Sequence, residues 1–137
     1  MAGGRHSYLA DVRTTREVLS RHGLYTKHRL GQNFLVNDAV IGKILELAQI
    51  CPDDLVLEVG PGIGTLTVAM LELAPVISVE ADTTLAPVLA ETCARDSDRF
   101  TLILGDALKV LPDGLGEKVP TAFVANLPYQ VAATLIL

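Results

Sequence analysis

The chain has 137 residues, half of them hydrophobic and a fifth charged, a composition that supports one globular domain with its own core. No apolar run reaches the roughly 20 residues of a membrane span, and the first residues mix charges into every turn where a secretory signal would be apolar, so a cytoplasmic protein with no membrane partner is expected. The net charge of −5 argues by itself against nucleic acid, but it is split: residues 1–33 carry six basic against two acidic side chains (+4), and residues 34–137 carry five against fourteen (−9).

The basic segment reads equally well as a phosphate-contacting arm and as a solvated extension. Residues 14–22 have the pattern of a short helix: Thr14 and Glu17 stand at capping-box spacing, and Gly23 suits the position past the end. Residues 24–36, "LYTKHRLGQNFLV", follow neither the helical nor the strand period and are expected to be extended. Asn37 is a good N-cap for a helix over 38–50, with Ile41, Ile44, Leu45 and Ala48 on its apolar face.

An alternation of strands and helices follows. The spacing predicts strands over 54–59, 76–80, 100–105 and 121–126, and helices over 64–73 and 83–94. The second of these helices places Leu85, Val88, Leu89 and Thr92 on one face. Glu58 is the one interruption in the first strand's apolar run. Strands alternating with helices give right-handed βαβ units and a parallel sheet, hence an α/β fold. Cys51 and Cys93 have no metal-ligand or CxxC spacing and are expected to be reduced, partly buried thiols. His6, His22 and His28 lack ligand-spaced partners, so no metal is assigned.

Four strand ends carry chemistry. The first opens into Gly60-Pro61-Gly62-Ile63-Gly64. Glycines there let the backbone turn sharply and let a ligand approach its N–H groups, at the sheet edge where open α/β folds bind ligands. A dinucleotide fingerprint would place glycine where Thr65 stands. An acid two residues ahead of GxGxG is instead similar to the first motif of S-adenosylmethionine-dependent methyltransferases. The second strand ends at Glu80, about 20 residues on, where a carboxylate can accept both ribose hydroxyls; nicotinamide enzymes use the same device. Asp82 reads as a helix N-cap. The third strand ends at Asp106, which can accept from the exocyclic amine of an adenine, or can simply close an Asx turn.

The fourth strand ends in Asn126-Leu127-Pro128-Tyr129. This loop resembles the (Asn/Asp)-Pro-Pro-(Tyr/Phe) loop of amino-group methyltransferases. An adenine amine is a poor nucleophile because its lone pair is delocalised into the ring. Two acceptors, the Asn126 side-chain oxygen and the Leu127 carbonyl, would hold its N–H bonds and free that lone pair; Pro128 stiffens the loop and Tyr129 offers a face to a base drawn from its stack. The competing reading of the same four residues is a helix N-terminus with a proline near its start and a core tyrosine.

Taken in order, "HRLGQNFLVN", "LEVGPGIGTLT", "VEAD", "GDAL" and "NLPYQVAA" resemble the KsgA-type ribosomal RNA adenine dimethyltransferases from about residue 26 onward. The resemblance implies a Rossmann-like methyltransferase fold of which this chain carries the first four parallel strands with their helices. It implies S-adenosylmethionine as cofactor, held by Asn33, Leu35, Gly60, Gly62, Glu80, Asp106 and Asn126, with no metal. Gln32 and Phe34 fall in the same motif, Phe34 as a packing residue. Catalysis is assigned to Asn126, Leu127, Pro128 and Tyr129. The implied reaction is dimethylation at N6 of two adjacent adenines near the 3′ end of small-subunit ribosomal RNA, in the pre-30S particle, by a monomeric enzyme linked to subunit assembly. Two positions depart from the family pattern: Gln130 replaces the usual asparagine, and Ala81 a bulky aliphatic residue.

The expected organisation is a basic arm with a short helix and the GQNFL motif over 1–36, and the N-terminal part of a methyltransferase domain over 37–137. The family fold continues with further strands and a helical domain, so the chain reads as a fragment that binds cofactor weakly without turnover. The alternatives are the sister enzymes that methylate large-subunit ribosomal RNA and confer macrolide resistance, and a non-catalytic cofactor- or RNA-binding fragment. A dehydrogenase fits least.

Overall fold

The computed structural model describes residues 5–24, 37–111 and 113–125. Helices α1 (Val12–Arg21) and α2 (Asp38–Ala48) precede a β/α series: β1 (Val56–Val59), α3 (Thr65–Leu71), β2 (Val76–Glu80), α4 (Ala86–Thr92), β3 (Phe100–Leu104), α5 (Ala107–Val110) and β4 (Ala122–Ala125). The four strands form one parallel sheet in the order β3-β2-β1-β4, with Val56 opposite both Val76 and Ala122, and Val76 opposite Phe100. This is the Rossmann-like arrangement expected, with the chain reversing its direction of travel across the sheet between β1 and β4.

Sidedness follows from the two-residue period of a strand. Leu57, Val59, Ile77 and Val79 bury one face against Ala107, Val110 and Leu115. Val56, Val76 and Val124 bury the other against Leu66, Met70, Val88 and Leu89, and against Leu9, Val18, Leu19 and Ile41. Both faces of β1 and β2 are buried, as their near-continuous apolar runs require. The outer strands are less covered, and Phe123 of β4 is exposed on its outer side.

The helix ends differ from expectation in instructive ways. α1 starts two residues early because Asp11, not Thr14, is its N-cap: the Asp11 carboxylate accepts from both the Thr14 N–H and the Thr14 hydroxyl. Gly23 follows the helix with φ +68°. Asn37 caps α2 as its sequence predicts, accepting from the Ala39 N–H at 2.7 Å, and the helix stops at Ala48 because Gln49 turns left-handed. The expected helix over 83–94 is a 3₁₀ turn at Thr83–Leu85, capped by Asp82, followed by α4 with Pro87 in its first turn. Its Leu85, Val88, Leu89 and Thr92 are all buried as expected.

Residues 5–24 are not loosely attached. The Asp38 carboxylate accepts from the His6 and Ser7 N–H groups, the Thr15 hydroxyl donates to the Leu9 carbonyl, and Arg21 and His22 both pair with Glu91 of α4. Both cysteines are free thiols, but they are not alike: Cys51 is exposed, and Cys93 is buried with its thiol pushed up to about 12 by desolvation.

Candidate functional site

The C-terminal ends of β1, β2 and β3 converge on a cleft of about 220 Å³ lined by Gly60, Glu80, Ala81, Gly105, Asp106 and Ala107, among others. Three of the expected cofactor positions, Gly60, Glu80 and Asp106, therefore share one wall, and Gly62 joins them through a hydrogen bond. Gly60, Gly62 and Gly64 all have positive φ, at +79°, +61° and +95°. Only glycine takes this sequence of conformations cheaply. The loop is stitched to the sheet by Gly60 N–H donating to the Val79 carbonyl and closes on itself through Gly64 N–H to the Pro61 carbonyl, both at 2.9 Å.

Glu80 is buried at the mouth of this loop. Its Oε1 accepts from the Gly62 N–H at 3.2 Å and its Oε2 from the Asp82 N–H at 2.9 Å. A carboxylate offers about four lone-pair directions. Two are used by the backbone, which fixes the side chain, and two remain for a diol. Asp106 is exposed at the cleft rim; its Oδ1 accepts from the Leu108 N–H, capping α5. The Asx-turn reading of Asp106 is observed, and the same cap sets the rotamer of a carboxylate that lines the cleft.

Under the loop lies a feature the periodicity showed only as a flaw in a strand. Glu58 is fully buried, on the face that β1 shares with Val56. Its Oε1 accepts from the Thr67 hydroxyl of α3 at 2.5 Å and from the Ser78 hydroxyl of β2 at 2.8 Å, while Oε2 has no partner among the described residues. The side chain ties α3, which follows the glycine loop, and the neighbouring strand β2 to the strand that leads into the loop. Desolvation pushes its carboxyl up to about 7, against the pull of the two hydroxyls and with added repulsion from Glu80. A signal was available in the sequence: Glu58, Thr67 and Ser78 are three polar residues at positions that β1, α3 and β2 must bury.

A second polar support comes from α4. The buried Thr92 hydroxyl donates to the Ile63 carbonyl at 2.8 Å, and an added Cβ on Gly64 would stand 2.9 Å from that same oxygen.

Asn33 and Leu35, and the loop Asn126-Leu127-Pro128-Tyr129, lie outside the described residues, as do Gln32, Phe34 and His28. Among the described residues no cluster of three or more His, Cys, Asp or Glu side chains could hold a metal ion, and no helix is long and apolar enough to cross a membrane.

Known proteins share this arrangement. A ribosomal RNA small subunit methyltransferase A of Clostridium perfringens is 40% identical over 131 residues, covering 94% of this chain and 45% of the relative. That of Streptomyces coelicolor is 43% identical over 133 residues, covering 93% and 45%. Among solved structures, a dimethyladenosine transferase from Plasmodium falciparum is 32% identical with a TM-score of 0.60, covering 73% of this chain and 35% of the other. The 23S rRNA methyltransferase ErmE is 31% identical with the same TM-score, covering 75% and 41%. The chain spans less than half the length of the curated relatives it matches. The description "Ribosomal RNA adenine dimethylase" matches residues 23–137, and the chain belongs to that family.

Proposed function

We propose that this chain is the cofactor-binding portion of an S-adenosylmethionine-dependent enzyme that dimethylates N6 of adjacent adenines near the 3′ end of small-subunit ribosomal RNA, within the assembling pre-30S particle. The convergence of Gly60, Glu80 and Asp106 on one cleft carries the reading. Each group fits a different part of the cofactor. The glycine loop, lacking side chains at Gly60, Gly62 and Gly64, gives room for its amino-acid end, the two free lone-pair directions of Glu80 suit the ribose hydroxyls, and Asp106 suits the adenine amine. Asn33 and Leu35 would complete that site.

The cofactor supplies an electrophilic methyl group on a sulfonium. The protein's part is to hold the target amine in line with it. Asn126 and the Leu127 carbonyl would accept the amine's two N–H bonds, while Pro128 holds the loop and Tyr129 stacks on the extruded base. Residues 1–36 would act as a basic arm toward RNA phosphates, and residues 37–137 as the N-terminal part of the catalytic domain. The arm's charge supports this division: Arg16 is exposed on a helix whose apolar side is buried.

Incubating the intact protein with methyl-labelled S-adenosylmethionine and undermethylated small subunits tests the reading. Label is expected at N6 of two adjacent adenines, with Asn126→Ala reducing the rate at least 100-fold. Full activity in that variant would overturn the loop assignment. The TM-score to ErmE, the same as that to the dimethyladenosine transferase, keeps a large-subunit target as the second reading, and label in large-subunit RNA alone would select it.

A further inference from the structure

The glycine loop rests on α4, and α4 is where residues 5–24 make several of their polar contacts. The Tyr8 hydroxyl donates to the Thr92 carbonyl at 3.0 Å, across 84 positions of sequence. Next to it, Glu91 receives Arg21 and, at 2.8 Å, His22. On its other side Thr92 turns its hydroxyl inward to the Ile63 carbonyl. Thr92 is 4% exposed, so that hydroxyl cannot exchange its partner for bulk water without cost. Gly64 packs against it so closely that no Cβ would fit there without displacing Thr92.

From this geometry we infer that Thr92 is a positioning residue for the cofactor loop, and that Tyr8 acts through it, so that the N-terminal arm sets how well the loop is preformed. The inference rests on the cofactor reading of the loop. The physical basis is local. Ile63 lies between Gly62 and Gly64, both at positive φ, and glycine-flanked backbone loses more entropy on ordering than any other. A buried hydroxyl on the one carbonyl between them removes that freedom before ligand arrives, and preorganisation of this kind appears as affinity. Tyr8 and the Arg21–His22–Glu91 cluster fix the C-terminal end of α4 and with it the height of Thr92 under the loop. Desolvation raises the Tyr8 hydroxyl above its ordinary range, so it remains a donor throughout the neutral region.

Three variants of the intact protein separate positioning from bulk stability. Thr92→Val keeps the shape and removes the donor, Thr92→Ser keeps the donor, and Tyr8→Phe removes a hydroxyl from a half-exposed ring. In methyl-transfer kinetics, Thr92→Val should raise KM for S-adenosylmethionine about tenfold with kcat within about twofold, Thr92→Ser should restore KM, and Tyr8→Phe should raise KM about threefold. Adding Tyr8→Phe to Thr92→Val should raise KM no further, because the route to the loop is already cut. Hydrogen exchange without cofactor gives an independent reading: the amides of Gly62, Ile63 and Gly64 should exchange faster in Thr92→Val and in Tyr8→Phe, but not in Thr92→Ser. Unchanged loop exchange in the two donor-lacking variants would overturn the inference, whether or not the protein binds S-adenosylmethionine. A wild-type protein that fails to bind it, with loop exchange still altered in the variants, would instead overturn the cofactor reading and leave the brace standing. Fully additive effects of the two substitutions on KM would remove Tyr8 from the mechanism.

Discussion

Glu58 concentrates more physical chemistry than any other described side chain. An ionised carboxylate with two hydroxyl partners on one oxygen and, among the described residues, none on the other is costly in a dry interior. The folded protein therefore prefers the protonated form, with a value of about 7 against an ordinary 4.5. The sign follows from proton linkage. Between these values the folded state binds more protons than the unfolded one, so raising the pH from about 4.5 through 7 removes stability, on the order of 3 kcal/mol if the whole shift is realised. Glu58→Gln keeps an acceptor for Thr67 and Ser78 and has no charge to bury. Urea unfolding should show the wild type losing stability between pH 5 and pH 8 relative to this variant, with the two curves converging near pH 5. A constant difference across that range would mean that Glu58 is ionised in the folded state. Periodicity marks Glu58 only as a break in a strand, because its meaning depends on Thr67 and Ser78, 9 and 20 residues away. Glu80 was legible for the opposite reason: its place at a strand end, a fixed distance past a glycine loop, is a property of the sequence itself.

At the level of elements, β1, the glycine loop and α3 act as one unit. Gly64 shows why. Its φ of +95° excludes a side chain cheaply, and Thr92, Leu89 and Cys93 occupy the space a Cβ would need, at 2.9, 3.2 and 3.3 Å. Gly64→Ala should therefore combine backbone strain with a steric shift of α4, costing about 2 kcal/mol or more. Chemical denaturation should register that loss, and calorimetry should show weaker binding of S-adenosylmethionine; a stability within about 0.5 kcal/mol of wild type would mean the loop adopts another conformation. The strands of the βαβ series and helices α3 and α4 were readable from apolar spacing because burial demands it, whereas the short α5 was not, and β2 falls at the expected residues, 76–80. Helix starts were read less well where two residues competed for the same N–H. Thr14 has the spacing of a cap, but Asp11 brings a charged acceptor, and the carboxylate took both Thr14 donors.

At the scale of the molecule, residues 5–24 help to build the core. Leu9, Val18 and Leu19 are at most 1% exposed and pack in the same cluster as Ile41, Met70 and Leu89. Burying each is worth roughly 1.5–3 kcal/mol, against a net stability of about 5–15 kcal/mol for a typical domain. Removing residues 1–24 should leave an apolar groove over α3 and α4 and lower the melting temperature by more than about 10 °C, with self-association visible by light scattering. A truncated protein that remains monomeric and melts like the parent would show these contacts to be dispensable. Charge alone did not reveal this. The basic residues of the segment suggested an arm, while its apolar side chains, at 9, 18 and 19, are too few and too widely spaced to announce a core element without their partners in view.

The 84-residue separation of Tyr8 and Thr92 has a consequence for how the protein is made. Synthesis runs from the N-terminus, so the segment that emerges first must wait for α4 before its polar contacts there can form. β1 and β2 can pair before α4 is made, whereas the early segment stays a nascent chain with Leu9, Val18 and Leu19 uncovered until then. Its closure pays a long-loop entropy that the β1–β2 and β2–β3 pairs avoid, a non-local step that vectorial folding reaches only once α4 has emerged. The contact inferred to steady the glycine loop thus can form only after β1, the loop and β2 have all been made, and before β3 and β4 complete the sheet.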